Sequence, residues 1–317
     1  MNSEGTAVVF PGQGSQRPGM GKDFFDDLAV SRQVYEEASD ALNWDVAALC
    51  FEENDKLNLT EYTQPCLVTT EIAMLRGLQH RWGFAPACFG GHSLGEFTAL
   101  VAAGVLPLAE TVKIVRARGR LMQDAVPVGV GAMTAVISKN INTDAVRSVL
   151  AGLPVDLGNI NSANQVVISG AADAMAEAQE RLTGAVSAIT NNEPLRFVAL
   201  NVSAPFHSRF MKGIEEPFQA VLSDMGQGMN PDKAGRVTSN YTGAFHTENK
   251  DDCVRNLVRQ LSNAVQWKAN MDVMASSADQ IYELGPNRPL RDFFKTIDVT
   301  VSSVISLSAA EKIFDRQ

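Results

Sequence analysis

The sequence predicts an α/β protein in two parts, a parallel sheet flanked by helices and a smaller βαββαβ unit set into it. Three observations carry this expectation. Short apolar runs stop at glycine turns and lead into helical periodicity, the rhythm changes near Gly131, and the 317 residues are about twice the ~150-residue length typical of one domain. With 45% hydrophobic and 20% charged residues the chain sits near the globular average, which argues against disordered, collagen-like and disulfide-scaffold classes. Its 27 Lys plus Arg against 36 Asp plus Glu leave a formal charge of −9, which disfavours broad electrostatic capture of nucleic acid or an anionic membrane.

Residues 6–10, Thr-Ala-Val-Val-Phe, form an apolar run ended by Pro11-Gly12, the pattern of a buried parallel strand feeding a loop. Segments 29–42 and 67–82 carry apolar residues at three- and four-residue spacing, and 85–89 is a second short run stopped by Gly90-Gly91. Strand, turn and helix therefore alternate, and chemistry is expected at the carboxyl ends of the strands. From Gly131 onward 132–137 reads as strand, 143–153 as helix, 155–160 and 165–169 as strands, 172–182 as helix and 187–200 as extended. This βαββαβ order matches the ferredoxin-like arrangement. Residues 130–201 are thus expected to form a small domain inserted in a large one made of 1–129 and 202–317. Helices are then expected at 209–225, 251–263 and 267–276, with strands at 235–239, 280–284 and 300–305.

Cys50, Cys66, Cys88 and Cys253 form no C-x-x-C pair and lie among apolar neighbours, so they read as reduced core thiols, which suits the cytoplasm. Met-Asn-Ser-Glu at the start lacks a basic n-region. The longest apolar stretch, 99–109, falls far short of the ~20 residues that cross a bilayer, so neither export nor membrane insertion is expected.

Gly91-His92-Ser93-Leu94-Gly95 fits G-x-S-x-G between a predicted strand and a helix at 96–103. Small residues on both sides permit a strained turn that lifts the serine hydroxyl above the sheet at a helix N-terminus, with the Leu94 N–H pointing into the same space. The bland alternative is a glycine-rich turn with an idle serine. A serine needs a base, and the chain has four histidines, His80, His92, His207 and His246. His92, adjacent on a sharp turn, suits support of the turn better than proton transfer. His80 lies at a polar helix end, and His246 lies in a loop of undetermined position. His207 follows a strand and proline, where catalytic bases sit, although a packed structural histidine is the competing reading.

Residues 109–126 read as one helix. Projection at 100° per residue puts Ile114, Val115, Leu121, Met122 and Ala125 within about 60° of Arg118, whereas Lys113, Arg116, Arg120, Gln123 and Asp124 lie more than about 100° away. Arg118 therefore aims a guanidinium into the core. A buried charge is costly unless paired, and a planar fork suits a carboxylate, of the substrate or of the protein itself. The loop Phe10-Pro11-Gly12-Gln13-Gly14-Ser15-Gln16 invites a dinucleotide-binding reading. Its G-x-G-x-x-x-x-G spacing is two residues too long and Pro18 interrupts the helix start, so its N–H groups suit an anion hole better.

Together, Phe10–Gln16, Gly91-His-Ser-Leu-Gly-Glu96, Arg116-Ala-Arg-Gly-Arg-Leu-Met-Gln123, Asn201-Val-Ser-Ala-Pro-Phe-His-Ser208 and Val258-Arg-Gln-Leu261 resemble the malonyl-CoA:acyl-carrier-protein transacylases of fatty-acid and polyketide synthesis, almost end to end. The resemblance implies an α/β-hydrolase-like large domain carrying the ferredoxin-like small one. It implies Ser93 as nucleophile, His207 as base in a Ser-His dyad oriented by a backbone carbonyl, and Arg118 as the fork for the malonyl carboxylate. Gln13 and Leu94 would supply oxyanion-hole N–H groups, Gln260 and Asn161 would line the cleft, and His92 would flank the substrate. Phe206, before the histidine, resembles malonyl-selecting members. The implied partners are malonyl-CoA and an acyl carrier protein, with CoA thioester as substrate, no resident cofactor or metal, and a monomeric enzyme. Gly285-Pro-Asn-Arg-Pro289 departs from the Gly-Pro-Gly-Lys of many relatives. The runner-up is a serine hydrolase of the same fold, such as an acyl-thioester proofreader, and a different class again is a non-enzymatic carrier-binding module. Arg288, Arg291 and Lys295 are candidates for the basic surface an acidic carrier needs, a solvated helix face being the alternative.

Overall fold

The computed structural model describes residues 5–202 and 204–315; the Met1–Glu4 leader reading and Ser203 of the 201–208 motif lie outside them. One sheet is wholly parallel, with strands β1 (Thr6–Phe10), β2 (Cys88–Gly91), β7 (Gln280–Leu284) and β8 (Val301–Val304) in the order β2-β1-β7-β8. The other is antiparallel, with β3 (Gly131–Ile137), β4 (Val155–Ser162), β5 (Gln165–Ala171) and β6 (Arg196–Ala199) in the order β4-β5-β3-β6. The chain leaves the parallel sheet after two strands, builds the antiparallel one, and returns to add β7 beside β1.

β1 is short, continuous in Ala-Val-Val-Phe, and buried on both faces, as expected of a central parallel strand covered by helices. Its core is shared with the helix Thr60–Trp82, which is buried along most of its length and therefore shows almost no amphipathic stripe. Helix Leu108–Asp124 packs against it. Gly119 makes that contact possible, because a Cβ there would stand 2.4 Å from the Thr60 carbonyl oxygen. The small sheet has its own core, in which Val136, Val166, Ile168, Val146 and Leu182 pack helices Thr143–Leu150 and Met175–Gly184 onto one face.

The expected α/β architecture is therefore present, with local differences. Residues 187–200 are not extended throughout: Val186–Thr190 is helical, and only Arg196–Ala199 pairs with β3. The expected strand at 235–239 reduces to single bridges, Val237 to Phe89 and Thr238 to Phe245, at the edge of the parallel sheet. The helix expected at 209–225 opens with a 3-10 segment, Arg209–Ile214, before Glu215–Met225. Cys50, Cys66, Cys88 and Cys253 are buried and free. Among the described residues no helix is long and apolar enough to cross a membrane.

Candidate active site

β2 ends at Gly91 and the next helix, Gly95–Ala103, begins four residues later, so Ser93 sits at the tip of the turn with φ of 52°, in the left-handed region a serine rarely adopts. Two contacts explain why the flanking residues are glycine. A Cβ on Gly91 would meet the Gly95 carbonyl at 2.0 Å, and one on Gly95 would meet the Phe10 carbonyl oxygen at 2.2 Å. The strain is held from a distant segment: Asn240 Oδ1 accepts the Ser93 N–H at 3.0 Å while its Nδ2 donates to the Gly91 carbonyl at 2.7 Å.

His207 reaches the serine with Nε2, 2.8 Å from Ser93 Oγ, and its Nδ1 lies 2.8 Å from the Gln260 carbonyl oxygen. A carbonyl only accepts, so Nδ1 carries the hydrogen and Nε2 keeps the lone pair that accepts the serine proton. This is the arrangement a general base needs. Burial, then the Arg118 cation and His92, push the imidazole down to about 3 against the pull of the Gln260 carbonyl, so the resting imidazole is neutral. His207 also adopts φ of 58°, a second strained residue opposite the first.

Arg118 lies on the buried face of its helix with Leu108, Val112, Ile114, Val115 and Met122, 1% exposed. Nη1 donates to Gln64 Oε1 at 2.9 Å, and Nη2 donates to Gln260 Oε1 at 2.8 Å and to Ser93 Oγ at 3.2 Å. Nε is buried with no hydrogen-bond partner among the described residues, and the Phe97 ring faces the guanidinium at 5.4 Å. Burial lowers its pKa to about 10, with Glu96 opposing, so it stays a cation at neutral pH. Its direct polar partners are neutral oxygens, which leaves room for an incoming anion.

A cavity of about 150 Å³ opens between the two sheets, well below the ~300 Å³ at which pockets for larger ligands begin. Ser93, His207 and Arg118 line it together with Gln13, Leu94, His92, Asn161 and Phe206, and Met122, Met133, Val167, Leu200 and Val202 complete its apolar wall. Gln13 comes from the loop after β1, its side chain donating to Thr60 Oγ1 at 3.2 Å, and Leu94 opens the serine helix. The His92 ring ties the serine turn to β4: its Nε2–H donates to Asn161 Oδ1 at 2.8 Å, and burial lowers its pKa. Asn161 is oriented for this by donating to Gln165 Oε1 at 2.8 Å.

Gln260 differs from its expected cleft-lining place. It is fully buried and absent from the cavity wall, and acts through others: its amide nitrogen donates to the Ser93 carbonyl at 3.0 Å and its oxygen holds Arg118. Sequence reasoning missed Gln64 and Asn240. Gln64 carried a usable signal, a polar residue on an otherwise buried helix face. Asn240, 147 residues from Ser93, carried none. Arg291 and Lys295 are both paired with Asp292, at 3.5 and 2.7 Å, while Arg288 is exposed. Among the described residues no group of three or more His, Cys, Asp or Glu is placed to hold a metal ion.

A serine whose proton faces an imidazole, beside a buried cation at the carboxyl end of a parallel sheet, is an arrangement suited to acyl transfer. The chain belongs to the acyl transferase domain family, whose model matches residues 7–288. It is 37% identical over 302 residues to the malonyl CoA-acyl carrier protein transacylase of Escherichia coli (strain K12), covering 94% of each chain. It superposes on the crystal structure of the malonyl CoA-acyl carrier protein transacylase from Clostridium perfringens with a TM-score of 0.88 at 33% identity, covering 98% of this chain and 96% of that one. It is also similar, with a TM-score of 0.84 and 34% identity over 99% of this chain and 100% of the other, to a malonyl-transacylase solved in complex with its type II PKS acyl-carrier protein.

Proposed function

We propose that this protein is a malonyl-CoA:acyl-carrier-protein transacylase, moving a malonyl group from CoA to the phosphopantetheine thiol of an acyl carrier protein by way of a Ser93 ester. The observation that carries the reading is the Arg118 guanidinium, buried, without an acid in contact among the described residues, and 3.2 Å from the nucleophile. The malonyl carboxylate sits on Arg118, and its thioester carbonyl is thereby presented to Ser93. The carboxylate offsets the cation that depresses His207, so the base strengthens as the acyl group seats.

His207 Nε2 takes the Ser93 proton as Oγ attacks the thioester carbon. The resulting oxyanion is met by the N–H of Leu94, at the N-terminus of the serine helix, and that of Gln13, from the loop after β1, and collapse breaks the C–S bond while His207 returns the proton to the CoA sulfur. In the second half the carrier thiol gives its proton to His207, its sulfur attacks the ester, and Ser93 Oγ leaves with that proton. No resident cofactor or metal is required. The small domain, 130–201, contributes Met133, Asn161 and Val167 to the wall, and the large domain, 1–129 and 202–317, carries the chemistry. We place the reaction in the cytoplasm, in a monomer, with Arg288, Arg291 and Lys295 on the face offered to the acidic carrier.

The test is to incubate the protein with malonyl-CoA, locate the label by peptide mass, and compare delivery to a holo-carrier protein with release to water. The expected result is malonyl on Ser93 and transfer outrunning hydrolysis. An unlabelled Ser93 would refute the reading, and hydrolysis in excess would favour a thioesterase.

A further inference from the structure

Behind the catalytic pair lies a buried ionic couple that the reaction above does not use. Glu96 and His246 are fully buried at their side chains, with Glu96 Oε1 2.8 Å from His246 Nε2. The other carboxylate oxygen accepts three N–H donors, from Asn240 N at 3.0 Å, Asn240 Nδ2 at 2.7 Å and Gln260 Nε2 at 2.5 Å. The amide orientations are fixed independently, because Asn240 Oδ1 accepts the Ser93 N–H and Gln260 Oε1 accepts from Arg118. Three donors on one oxygen call for an ionised carboxylate, and a buried carboxylate needs a counter-charge.

Two cations are within reach, Arg118 and the imidazolium of His246. Gln260 stands between Glu96 and Arg118, donating to one and accepting from the other. If Arg118 balanced Glu96 through that amide, its charge would be partly spent before any acyl carboxylate arrived. We propose that His246 is the counter-cation of Glu96, and that this buried pair positions Gln260 and Asn240 while leaving the charge of Arg118 to the acyl carboxylate. Burial pulls the imidazole down, but Cys253 and the Glu96 carboxylate outweigh it and raise the pKa to about 9; Nδ1 is buried without a hydrogen-bond partner among the described residues, so the Nε2 contact with Glu96 is the one hydrogen bond that holds the ring. His246 touches neither the cavity nor the nucleophile, so it is a positioning residue.

The inference rests on the acyl-transfer reading, and its test separates the two. Ser93 acylation rates are measured with malonyl-CoA and with acetyl-CoA, which lacks the carboxylate, in the wild type and in His246→Gln, which keeps an N–H donor for Glu96 but not the charge. The malonyl rate should fall about tenfold further than the acetyl rate, within the range for residues sharing one network. Equal losses, or none, would overturn the proposal; a wild type that takes no malonyl would instead overturn the acyl-transfer reading. Should the variant not fold, histidine ring-nitrogen NMR of the wild type decides: one imidazole should remain doubly protonated at about pH 8, where a free histidine is neutral. Finding every imidazole neutral there contradicts the proposal.

Discussion

Arg118 Nη2 lies 3.2 Å from Ser93 Oγ, so the charge proposed to recognise the substrate touches the atom proposed to attack it. Recognition and reaction are thus one geometric event. Arg118→Ala should reduce Ser93 acylation by malonyl-CoA about a hundredfold relative to acetyl-CoA, the loss of one or two charge-assisted hydrogen bonds. Arg118→Lys should restore only part of this, because a point charge cannot replace a planar fork. Intact-mass time courses with the two thioesters check both; parallel losses with malonyl and acetyl would contradict the assigned role.

Ser93→Ala should take no acyl group, and His207→Ala should acylate at least about a thousandfold more slowly, because no other imidazole among the described residues contacts the Ser93 hydroxyl. Stopped-flow release of the CoA thiol measures both. Near-normal release from His207→Ala would show that another group accepts the proton.

The nucleophile turn depends on two missing methyl groups. Gly95→Ala would drive a Cβ to 2.2 Å from the Phe10 carbonyl, so β1 and the serine helix must part. A loss of about 3 kcal/mol or more is expected, with loss of activity. Gly184→Ala, near the end of its helix with nothing within 4 Å of the new methyl, should instead gain up to about 1 kcal/mol. Urea midpoints of the two variants test the contrast, and equal shifts would contradict it.

Two histidines shape stability against pH in opposite directions. His207, held at about 3 when folded and near 6.5 when unfolded, binds its proton only on unfolding, so stability is lost as pH falls below about 6.5. His246, raised to about 9, contributes stability fully present below about 6.5 and lost as pH rises through 9. His246→Gln should therefore flatten the alkaline decline in melting temperature between about pH 6.5 and 9. An unchanged slope would show that His246 is neutral in the folded protein.

Features written in contiguous residues are legible in the sequence itself. The Ser93 turn needs glycines two residues away on each side, and Arg118 declares itself by falling on the apolar face of its own helix. His207 was one candidate among four histidines, favoured by its strand-then-proline setting, and the family resemblance singled it out. Asn240 and the Glu96–His246 pair were not legible, because their roles arise only when β2 meets a segment about 150 residues later. The helix Val186–Thr190 was hidden for another reason: its five residues are too few to show periodicity, and its β-branched composition favours strand.

The central claim is that the acyl carboxylate sits on Arg118 while its carbonyl is bonded to Ser93. A crystal structure of the malonyl-enzyme, formed by soaking with malonyl-CoA, tests it most directly. The account predicts a Ser93 ester whose carboxylate lies within hydrogen-bond distance of the Arg118 guanidinium, displacing the Ser93 contact now made by Nη2. A malonyl ester pointing its carboxylate to solvent, with Arg118 still bound only to Gln64 and Gln260, would contradict it.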